Sequence, residues 1–321
     1  MSIKQFGMKH FSKLLYYKFH FLTICIFVIY SSLVNAQDDE NEELLPFDAV
    51  IQSEMGGKRM KFYGNTRLNF NQAYFSNWIS GGLSALTLLY GLDYNFNYSD
   101  RNGFVWDTNF LLSIGATYVS GSNFFRKADD RIEINSVVGK QMNEYWNYSG
   151  FLNFKTQLFP GFTLFDQQSN QEKVSQFFSP AIIQGGLGFY YKKSQNFWLN
   201  LSPVTGRVIF VSKSFTGEID SDEKYFGVNF NKGSKFFFGA LVSGYFKKEI
   251  MENITWENKF SVYVNYIEKT QNVDFDWNSN IRFKVNNKIS GNFILHLLYD
   301  DDLIGKLQVR ELVGLGINID L

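Results

Sequence analysis

The sequence predicts an all-β fold, an antiparallel transmembrane β-barrel of about 12 strands with short periplasmic turns and longer extracellular loops. Three observations support it. Aromatic residues make up 18% of the 321 residues, with 35 phenylalanines, well above an ordinary soluble domain. Apolar and polar residues alternate with period two over unusually long segments. The segments are joined by connections that alternate between short and long.

The first 36 residues have the pattern of a cleaved signal peptide. Four lysines precede the apolar stretch "FLTICIFVIYSSLV", and small residues, Val34 and Ala36, stand where a signal peptidase reads the chain. A membrane anchor is the alternative, but the apolar run is short for a span and the acidic stretch "QDDENEE" follows it. The single cysteine, Cys25, lies inside this segment, so disulfides cannot stabilise the mature chain.

Charge and hydropathy narrow the class of protein further. Removing the four leader lysines from the 31 basic residues leaves 27, against 31 acidic residues. That balance is not the basic footprint of a nucleic-acid-binding protein. Beyond Ala36, no apolar run approaches the ~18 residues of a spanning helix. An exported aromatic-rich chain of this kind is either a secreted β protein or an outer-membrane barrel.

Strand length distinguishes these two. Segments such as "LTLLYGLDYNFNY" and "FVWDTNFLLSIGATY" alternate for five to seven positions on one face. Soluble strands average about 5–6 residues in total, whereas a barrel strand crosses a bilayer in ~9–11 residues. The predicted strands lie near 61–74, 84–98, 104–119, 130–141, 146–159, 181–192, 197–212, 236–248, 254–267, 275–285, 289–299 and 307–320.

The connections complete the predicted organisation. "SDRNG", "MNEY", "KSQN", "KEIMEN" and "NNK" are short, while the stretches 159–181 and 212–236 are long and polar. An even number of strands places both termini on the periplasmic side. The predicted domains are a signal peptide over 1–36, a flexible acidic lead-in over 37–60 and the barrel over 61–321.

Aromatic residues cluster beside the short turns, as in "FYYKKSQNFW" and "NEYWNY". Rings with an apolar body and a polar edge favour the lipid–water boundary. The alternative is the core of a β-sandwich, against which strand length argues. The predicted periplasmic girdle is Tyr98, Phe104, Trp106, Tyr145, Trp146, Tyr148, Tyr190, Tyr191, Phe197, Trp198, Phe246 and Trp256.

Two segments fit the pattern poorly. Pro203 stands inside the seventh predicted strand, where it removes a ladder donor, so a bulge or an early strand end is expected there. "FFFGALVSGYF" in the eighth strand shows no clean alternation, which leaves the facing of the seventh and eighth strands open.

Several stretches together resemble an uncharacterised outer-membrane barrel family of Bacteroidota, domain of unknown function 3078. They are "FSNWISGGLSAL", "DDRIEINSVVGK", "FFSPA", "LGFYYK" and "LSPVTGR", spread over much of the mature chain. The resemblance implies an outer-membrane location. It implies no particular activity and no catalytic residues.

The polar side of the alternation is rich in charge of both signs. These groups either line a water-filled pore and select solutes, or pair across a closed interior and lock the barrel. A barrel of about 12 strands lies between the filled 8-strand and open 16-strand cases. The predicted lumen-lining residues are Arg67, Asp93, Asp107, Arg131, Glu133, Lys155, Glu257, Lys259, Asp276, Arg282, Lys284 and Arg310.

The sequence contains little that indicates a catalytic site or a metal site. His296 is the one histidine after the leader, and a structural role inside the wall is the expectation. Acidic stretches at 129–130, 218–223 and 300–302 lack the spacing of a calcium loop. We therefore expect no catalytic residues, no cofactor and no metal site. Glu311, on the apolar side of the last strand, indicates either a local bulge or a protein contact.

The loop "FSNWISGGLS" joins the first two strands and carries Trp78, Gly81 and Gly82. It is either a tight extracellular turn, a constriction folded inward or a surface for a partner.

Three functions fit this architecture: a passive or gated pore for small polar solutes, a non-conducting structural or accessory subunit of an outer-membrane complex, and an embedded hydrolase using His296. We expect the first and do not expect an enzyme. The expected location is the outer membrane of a Gram-negative bacterium, after export and signal-peptide cleavage. The expected partners are outer-membrane lipids and lipopolysaccharide, barrel-assembly machinery and an outer-membrane protein complex, with no nucleic acid.

Overall fold

The computed structural model describes residues 59–75, 83–120, 125–162, 173–268, 270–271, 273–286, 288–301 and 305–320. These belong to a compact unit, Ala49–Leu321. The predicted signal peptide, the lead-in up to residue 58 and the loop residues Trp78, Gly81 and Gly82 lie outside the described part of the chain.

Twelve antiparallel strands close into one barrel. The barrel strands are β1 (Arg59–Ala73), β2 (Ala85–Ser99), β3 (Phe104–Val119), β4 (Arg126–Gln141), β5 (Trp146–Thr156), β8 (Ala181–Ser194), β9 (Phe197–Phe210), β12 (Ser234–Met251), β13 (Ile254–Asn265), β14 (Val273–Lys284), β15 (Ile289–Tyr299) and β16 (Gln308–Asp320). Pairing of β1 with β16, from Asn65 opposite Asp320 to Phe70 opposite Leu315, closes the ring. The predicted fold class is confirmed.

Small elements occupy two of the longer connections. Strands β6 (Gly161–Phe162) and β7 (Lys173–Ser175) form one hairpin, and β10 (Lys224–Tyr225) and β11 (Val228–Asn229) form another. The helix α1 (Lys213–Thr216) begins at Ser212, whose hydroxyl accepts a hydrogen bond from the Ser214 N–H. We call the end with these connections the long-loop end and the opposite end the short-turn end. No helix among the described residues has the length and apolar character to span a bilayer.

The outer face of the barrel is apolar and exposed. Leu187 and Leu315, on opposite parts of the wall, are 66% and 64% exposed. A soluble monomer rarely presents a large continuous surface of this kind. Surrounded by hydrocarbon, the same surface is favourable, since lipid tails are as apolar as the side chains.

The expected irregularity at Pro203 is a β-bulge. Leu187 pairs with Val204, but Phe189 pairs with Leu201, so β9 has extra residues between these two points. The ladder to β12 shifts at the same place, between Gly239 and Leu241. A bulge of this kind leaves one residue unpaired, which suits the missing N–H of proline.

The bulge settles the facing of the seventh and eighth predicted strands. On β9, Leu201 faces outward before the bulge and Val204 faces outward after it, so the parity of outward positions changes. On β12, the pairing of Phe236 with Val208 places it on the outer face, and Phe237 opposite Arg207 lies on the inner face. Apolar residues cover both faces of the long-loop half of β12, which is why its sequence shows no alternation.

Leu152→Arg should destabilise the barrel by roughly 2–4 kcal/mol, the penalty of arginine on a lipid-facing position near the bilayer midplane. Leu152 is 55% exposed on the outer face of β5. The measurement is urea unfolding in lipid vesicles, followed by tryptophan fluorescence. Leu152→Met, which keeps the volume and polarity, is the matched control. Equal stability of the two variants would show that this face does not contact lipid.

Candidate functional site: the charged interior of the barrel

The structure places all twelve predicted lumen residues on the inner face. Strand register shows this directly, because each shares its face with residues that bond across the interior. Arg67 stands opposite Asn318 and Gly91, and Arg282 stands opposite Thr255 and Asn292. The remaining ten are Asp93, Asp107, Arg131, Glu133, Lys155, Glu257, Lys259, Asp276, Lys284 and Arg310.

Two ion pairs cross the interior between opposite parts of the wall. Lys259 Nζ of β13 donates to Asp93 Oδ2 of β2 at 2.8 Å, although four strands separate them on the shorter way round. Lys155 Nζ of β5 donates to Asp276 Oδ2 of β14 at 3.1 Å, again four strands away. Side chains of strands this far apart in the wall meet only inside the lumen, so these pairs are bridges across it.

Further pairs join strands that lie nearer to one another. Arg310 Nη1 lies 2.8 Å from Asp129 Oδ1. Lys192 Nζ donates to Asp107 Oδ2 at 2.6 Å, and the Tyr190 hydroxyl donates to the same oxygen at 3.1 Å. Buried carboxylates need such donors, since an unpaired charge away from water is strongly unfavourable.

His296 is part of this network. Its Nε2 lies 2.8 Å from Asp276 Oδ1, the carboxylate that also receives Lys155. The register pairs His296 with Asn278 and Arg310, which puts it on the inner face. This position fits a structural role, in which His296 and Lys155 together satisfy the carboxylate of Asp276.

A second feature of the interior is apolar. Inner-face residues of β9, β12 and β13, namely Ile209, Phe237, Leu241 and Tyr263, form one buried cluster with Val211, Phe215 and Val228. The last three belong to the connection between β9 and β12, residues 211–233. This connection therefore folds against the inner wall at the long-loop end and covers it; we call it the inner segment.

Hydrogen bonds hold the inner segment in place. The Thr216 hydroxyl donates to the Lys232 carbonyl at 2.7 Å, and the Asn231 N–H donates to the Thr216 carbonyl at 2.9 Å. The rings of Phe215 and Tyr225 stack with centroids 5.6 Å apart. Val228 is fully buried, so the part of the segment that faces the wall is packed like a protein core.

The sequence reasoning missed several charged residues of the interior, among them Arg207, Asp274 and Lys192. Arg207 donates to Asp274 at 2.7 Å and lies 3.7 Å over the Tyr263 ring. The facing of Arg207 could not be predicted by alternation, because the bulge at Pro203 changes which positions of β9 face inward. The facing of Lys192 could have been predicted from the alternation of its strand, because its neighbours Tyr191 and Lys193 take the opposite face.

The predicted girdle is correct in part and wrong at two positions. Tyr190 bonds Asp107 inside the barrel, and Trp198 stacks on Tyr245 of the inner face. Adjacent residues of a strand point to opposite faces, so Tyr190 and Tyr191, or Phe197 and Trp198, cannot both face lipid. The outer-face members are Tyr98, Phe104, Trp106, Trp146, Tyr148, Tyr191, Phe197, Phe246 and Trp256.

Ring contacts link these outer residues around the short-turn end. Trp146 packs on Tyr191 with centroids 5.1 Å apart, and Phe246 packs on Trp256 at 5.8 Å. Tyr145, in the turn between β4 and β5, packs on Tyr191 at 5.8 Å. The rings form a band where an amphipathic side chain is best placed at a lipid–water boundary.

Glu311 is an exposed carboxylate on the outer face. It pairs in register with Leu295 and shares its face with Val309 and Val313, in an unbroken ladder. The expected alternative of a local bulge is therefore wrong. No described residue forms a hydrogen bond or an ion pair with the Glu311 side chain.

Metal-ligand geometry is not found in the described ranges, where no group of three or more His, Cys, Asp and Glu side chains converges. The acidic pair at 129–130 has other partners. Asp129 forms an ion pair with Arg310. Asp130 accepts hydrogen bonds from the backbone N–H groups of Leu158 and Phe159, both at 2.8 Å.

A closed antiparallel barrel with an apolar outer face, an aromatic band and a charged interior defines the class of outer-membrane β-barrels. Residues 70–162 match the family described as "Protein of unknown function (DUF3078)". The resemblance to domain of unknown function 3078 is thus confirmed over this segment. No curated protein sequence matches the chain significantly.

Three solved structures are similar to the chain at low identity. The translocator domain of the autotransporter NalP from Neisseria meningitidis is 8% identical, with 83% of this chain and 90% of that chain covered and a TM-score of 0.32. An outer-membrane channel from Pseudomonas putida F1 is 12% identical, with 87% and 99% covered and a TM-score of 0.35. The outer-membrane channel DcaP of Acinetobacter baumannii is 10% identical, with 85% and 100% covered and a TM-score of 0.26.

Lys259→Met should destabilise the barrel more than the neutral double variant Lys259→Met/Asp93→Asn. The single change leaves Asp93 charged and without its lysine donor, at a cost of about 1–2 kcal/mol. A fully buried pair would lose more, but Lys259 is 34% exposed. Urea unfolding of both variants in vesicles measures the difference. If the single and double variants unfold at the same urea concentration, the bridge contributes nothing across the lumen.

A surface cluster at the long-loop end should respond to pH. Hydrogen bonds from Lys235, and then from Lys224, lower the pKa of Glu268 below its usual value. The stabilisation is present above the ordinary glutamate pKa of about 4.3 and is lost as the pH falls through the lowered value. Hydrogen exchange, corrected for intrinsic rates, should show reduced protection of residues 266–268 at pH about 3. Glu268→Gln should remove this pH dependence; a wild-type-like pH profile in the variant would contradict the assignment.

Proposed function

We propose that the protein is an outer-membrane barrel that forms a gated passage for small polar solutes, and that the structure represents its closed state. The observation that carries the proposal is the pair of bridges across the lumen, Lys259 with Asp93 and Lys155 with Asp276. They obstruct the interior with polar side chains, which can separate, where a packed apolar core would obstruct it permanently.

The bridges are weak enough to act as a gate. Lys259 is 34% exposed and Lys155 is 31% exposed, so water reaches both. Hydrated ion pairs of this kind contribute about 0–1 kcal/mol each. A charged or polar solute that enters the interior can therefore replace one partner of a bridge without a large loss of free energy.

The inner segment narrows the interior at the long-loop end along one part of the wall. Its packing on Ile209, Phe237 and Tyr263 covers the inner wall of β9, β12 and β13. Because this contact is apolar and tight, we assign the inner segment to the fixed part of the closure and the bridges to the part that opens.

The outer face supports the proposed location. Exposed leucine and phenylalanine side chains cover the wall, and the aromatic band lies at the short-turn end, which we assign to the periplasmic side. Export through a cleaved signal peptide remains part of the proposal, since residues 1–36 lie outside the described chain.

A second candidate function is a non-conducting accessory subunit of an outer-membrane complex. Glu311 favours it, because an ionisable group on a lipid-facing surface is expensive unless another protein covers it. Conductance separates the two candidates.

The test is single-channel recording in planar bilayers. Both bridges are replaced by neutral pairs in the variant Lys259→Met/Asp93→Asn with Lys155→Met/Asp276→Asn. The replacement removes about 2 kcal/mol of stabilisation from the closed state and should raise the open fraction roughly thirtyfold. The wild type should show rare openings, because the bridges hold it closed.

The matched control for this recording is Lys224→Gln/Glu268→Gln. The two side chains form an ion pair of 3.2 Å at the surface of the long-loop end, and neither belongs to a bridge across the lumen, so their loss should leave the open fraction unchanged. A wild type that conducts steadily would reject the closed state. Silence of all variants would reject the passage and favour the accessory subunit.

A further inference from the structure

The interior carries positive charge that its carboxylates do not balance. Five aspartates of the inner wall have a cationic partner within 3.1 Å: Lys259 for Asp93, Lys192 for Asp107, Arg310 for Asp129, Arg207 for Asp274 and Lys155 for Asp276. Several inner-face cations, Lys247 among them, have no such partner among the described residues. Four of these lie together on the wall and are called the basic arc: Lys61, Arg67, Arg282 and Lys284.

The basic arc occupies one continuous part of the wall. Lys61 and Arg67 lie on β1, Arg282 and Lys284 lie on β14, and only β15 and β16 stand between these strands. Arg282 and Lys284 are at the end of β14 that leads into the short turn at 285–288, and Lys61 is near the start of β1. Lys61, Arg282 and Lys284 are therefore in the half of the interior that opens at the short-turn end, and Arg67 lies at the middle of β1.

The neighbours of the basic arc across the ladder are neutral. Lys61 stands opposite Asn97, and Arg67 stands between Gly91 and Asn318.

The same holds on β14. Arg282 stands between Thr255 and Asn292, and Lys284 stands opposite Ser290. The Nε of Arg282 is buried and has no hydrogen-bond acceptor. A buried donor without an acceptor is unfavourable, and an incoming anion would satisfy it.

The surrounding carboxylates do not neutralise the basic arc. On the adjacent strands, Glu257 stands directly opposite Lys247 and also attracts Lys259. Glu249 accepts a hydrogen bond from the Asn253 N–H in the turn. Asp320, at the end of β16, stands opposite Asn65 by register. Asp93 is shared, because it binds Lys259 and is also attracted by Arg67.

We propose that the basic arc is a binding vestibule for small polyvalent anions that enter from the short-turn end, bearing phosphate or several carboxylates. Guanidinium groups bind such oxyanions through paired hydrogen bonds, and lysines add point charge. The vestibule lies beside the Lys259–Asp93 bridge, so a bound anion competes with Asp93 for Lys259 and Arg67. The role of the vestibule rests on the proposed passage, and the inference assigns anions as the class of solute that enters it.

The test is isothermal titration of the whole detergent-solubilised barrel with inorganic phosphate at constant ionic strength. The wild type should bind phosphate, and Lys61→Gln/Arg282→Gln should weaken the affinity about tenfold or more, as expected for the loss of charge-assisted hydrogen bonds. Lys61→Arg/Arg282→Lys, which keeps both charges, should retain most of the affinity.

The matched control is Lys213→Gln/Lys306→Gln, which removes the same charge from exposed positions at the long-loop end and should bind phosphate like the wild type. Heat-modifiable gel migration verifies that every variant is folded. Absence of phosphate binding by the wild type, equal loss in both neutralised variants, or no loss in either would overturn the vestibule.

This measurement is independent of conduction. A barrel that is silent in planar bilayers and binds phosphate through Lys61 and Arg282 would reject the passage and keep the vestibule. A barrel that conducts and does not bind phosphate would keep the passage and reject the anionic solute class.

Discussion

The closure of the hydrogen-bond ladder is the constraint on which the rest of the structure depends. Inside hydrocarbon, each backbone N–H and C=O group must find a partner within the protein, so a sheet can cross a membrane only if it has no free edge. The pairing of β1 with β16 removes the last edge. Once the ring is closed, alternate side chains must face lipid or the interior, and every other property follows from that division.

Inside the ring, two kinds of contact share the space. At the long-loop end, the inner wall of β9, β12 and β13 is apolar and is covered by the inner segment, with Val228 and Phe215 at its centre. The rest of the wall is charged, and its bridges are partly hydrated. This division assigns rigidity to the apolar side and adaptability to the charged side, because separating hydrated ions requires much less free energy than exposing packed rings. The unbalanced basic arc lies on the adaptable side.

Much of the fold and part of the interior were predictable from the sequence, and the failures have two causes. Where a strand is regular, as in β2 and β14, alternation places Asp93 and Arg282 on the inner face correctly. Where Pro203 inserts a bulge, alternation changes phase, and Arg207 could not be assigned. Tyr190 and Trp198 were assigned to the girdle because they are aromatic. Alternation along the strand would have placed them inside, since their neighbours Tyr191 and Phe197 occupy the outer face.

The sequence by itself determined the class of protein, the number of strands and which face most residues take, because a strand period of two is a local property that a chain in contact with lipid must obey. Only the tertiary structure decided which charges meet. Lys259 and Asp93 are 166 residues apart in the chain and four strands apart in the wall, and their contact depends on the diameter and stagger of the closed ring. The same long-range geometry brings the inner segment onto the wall and leaves the basic arc without acids.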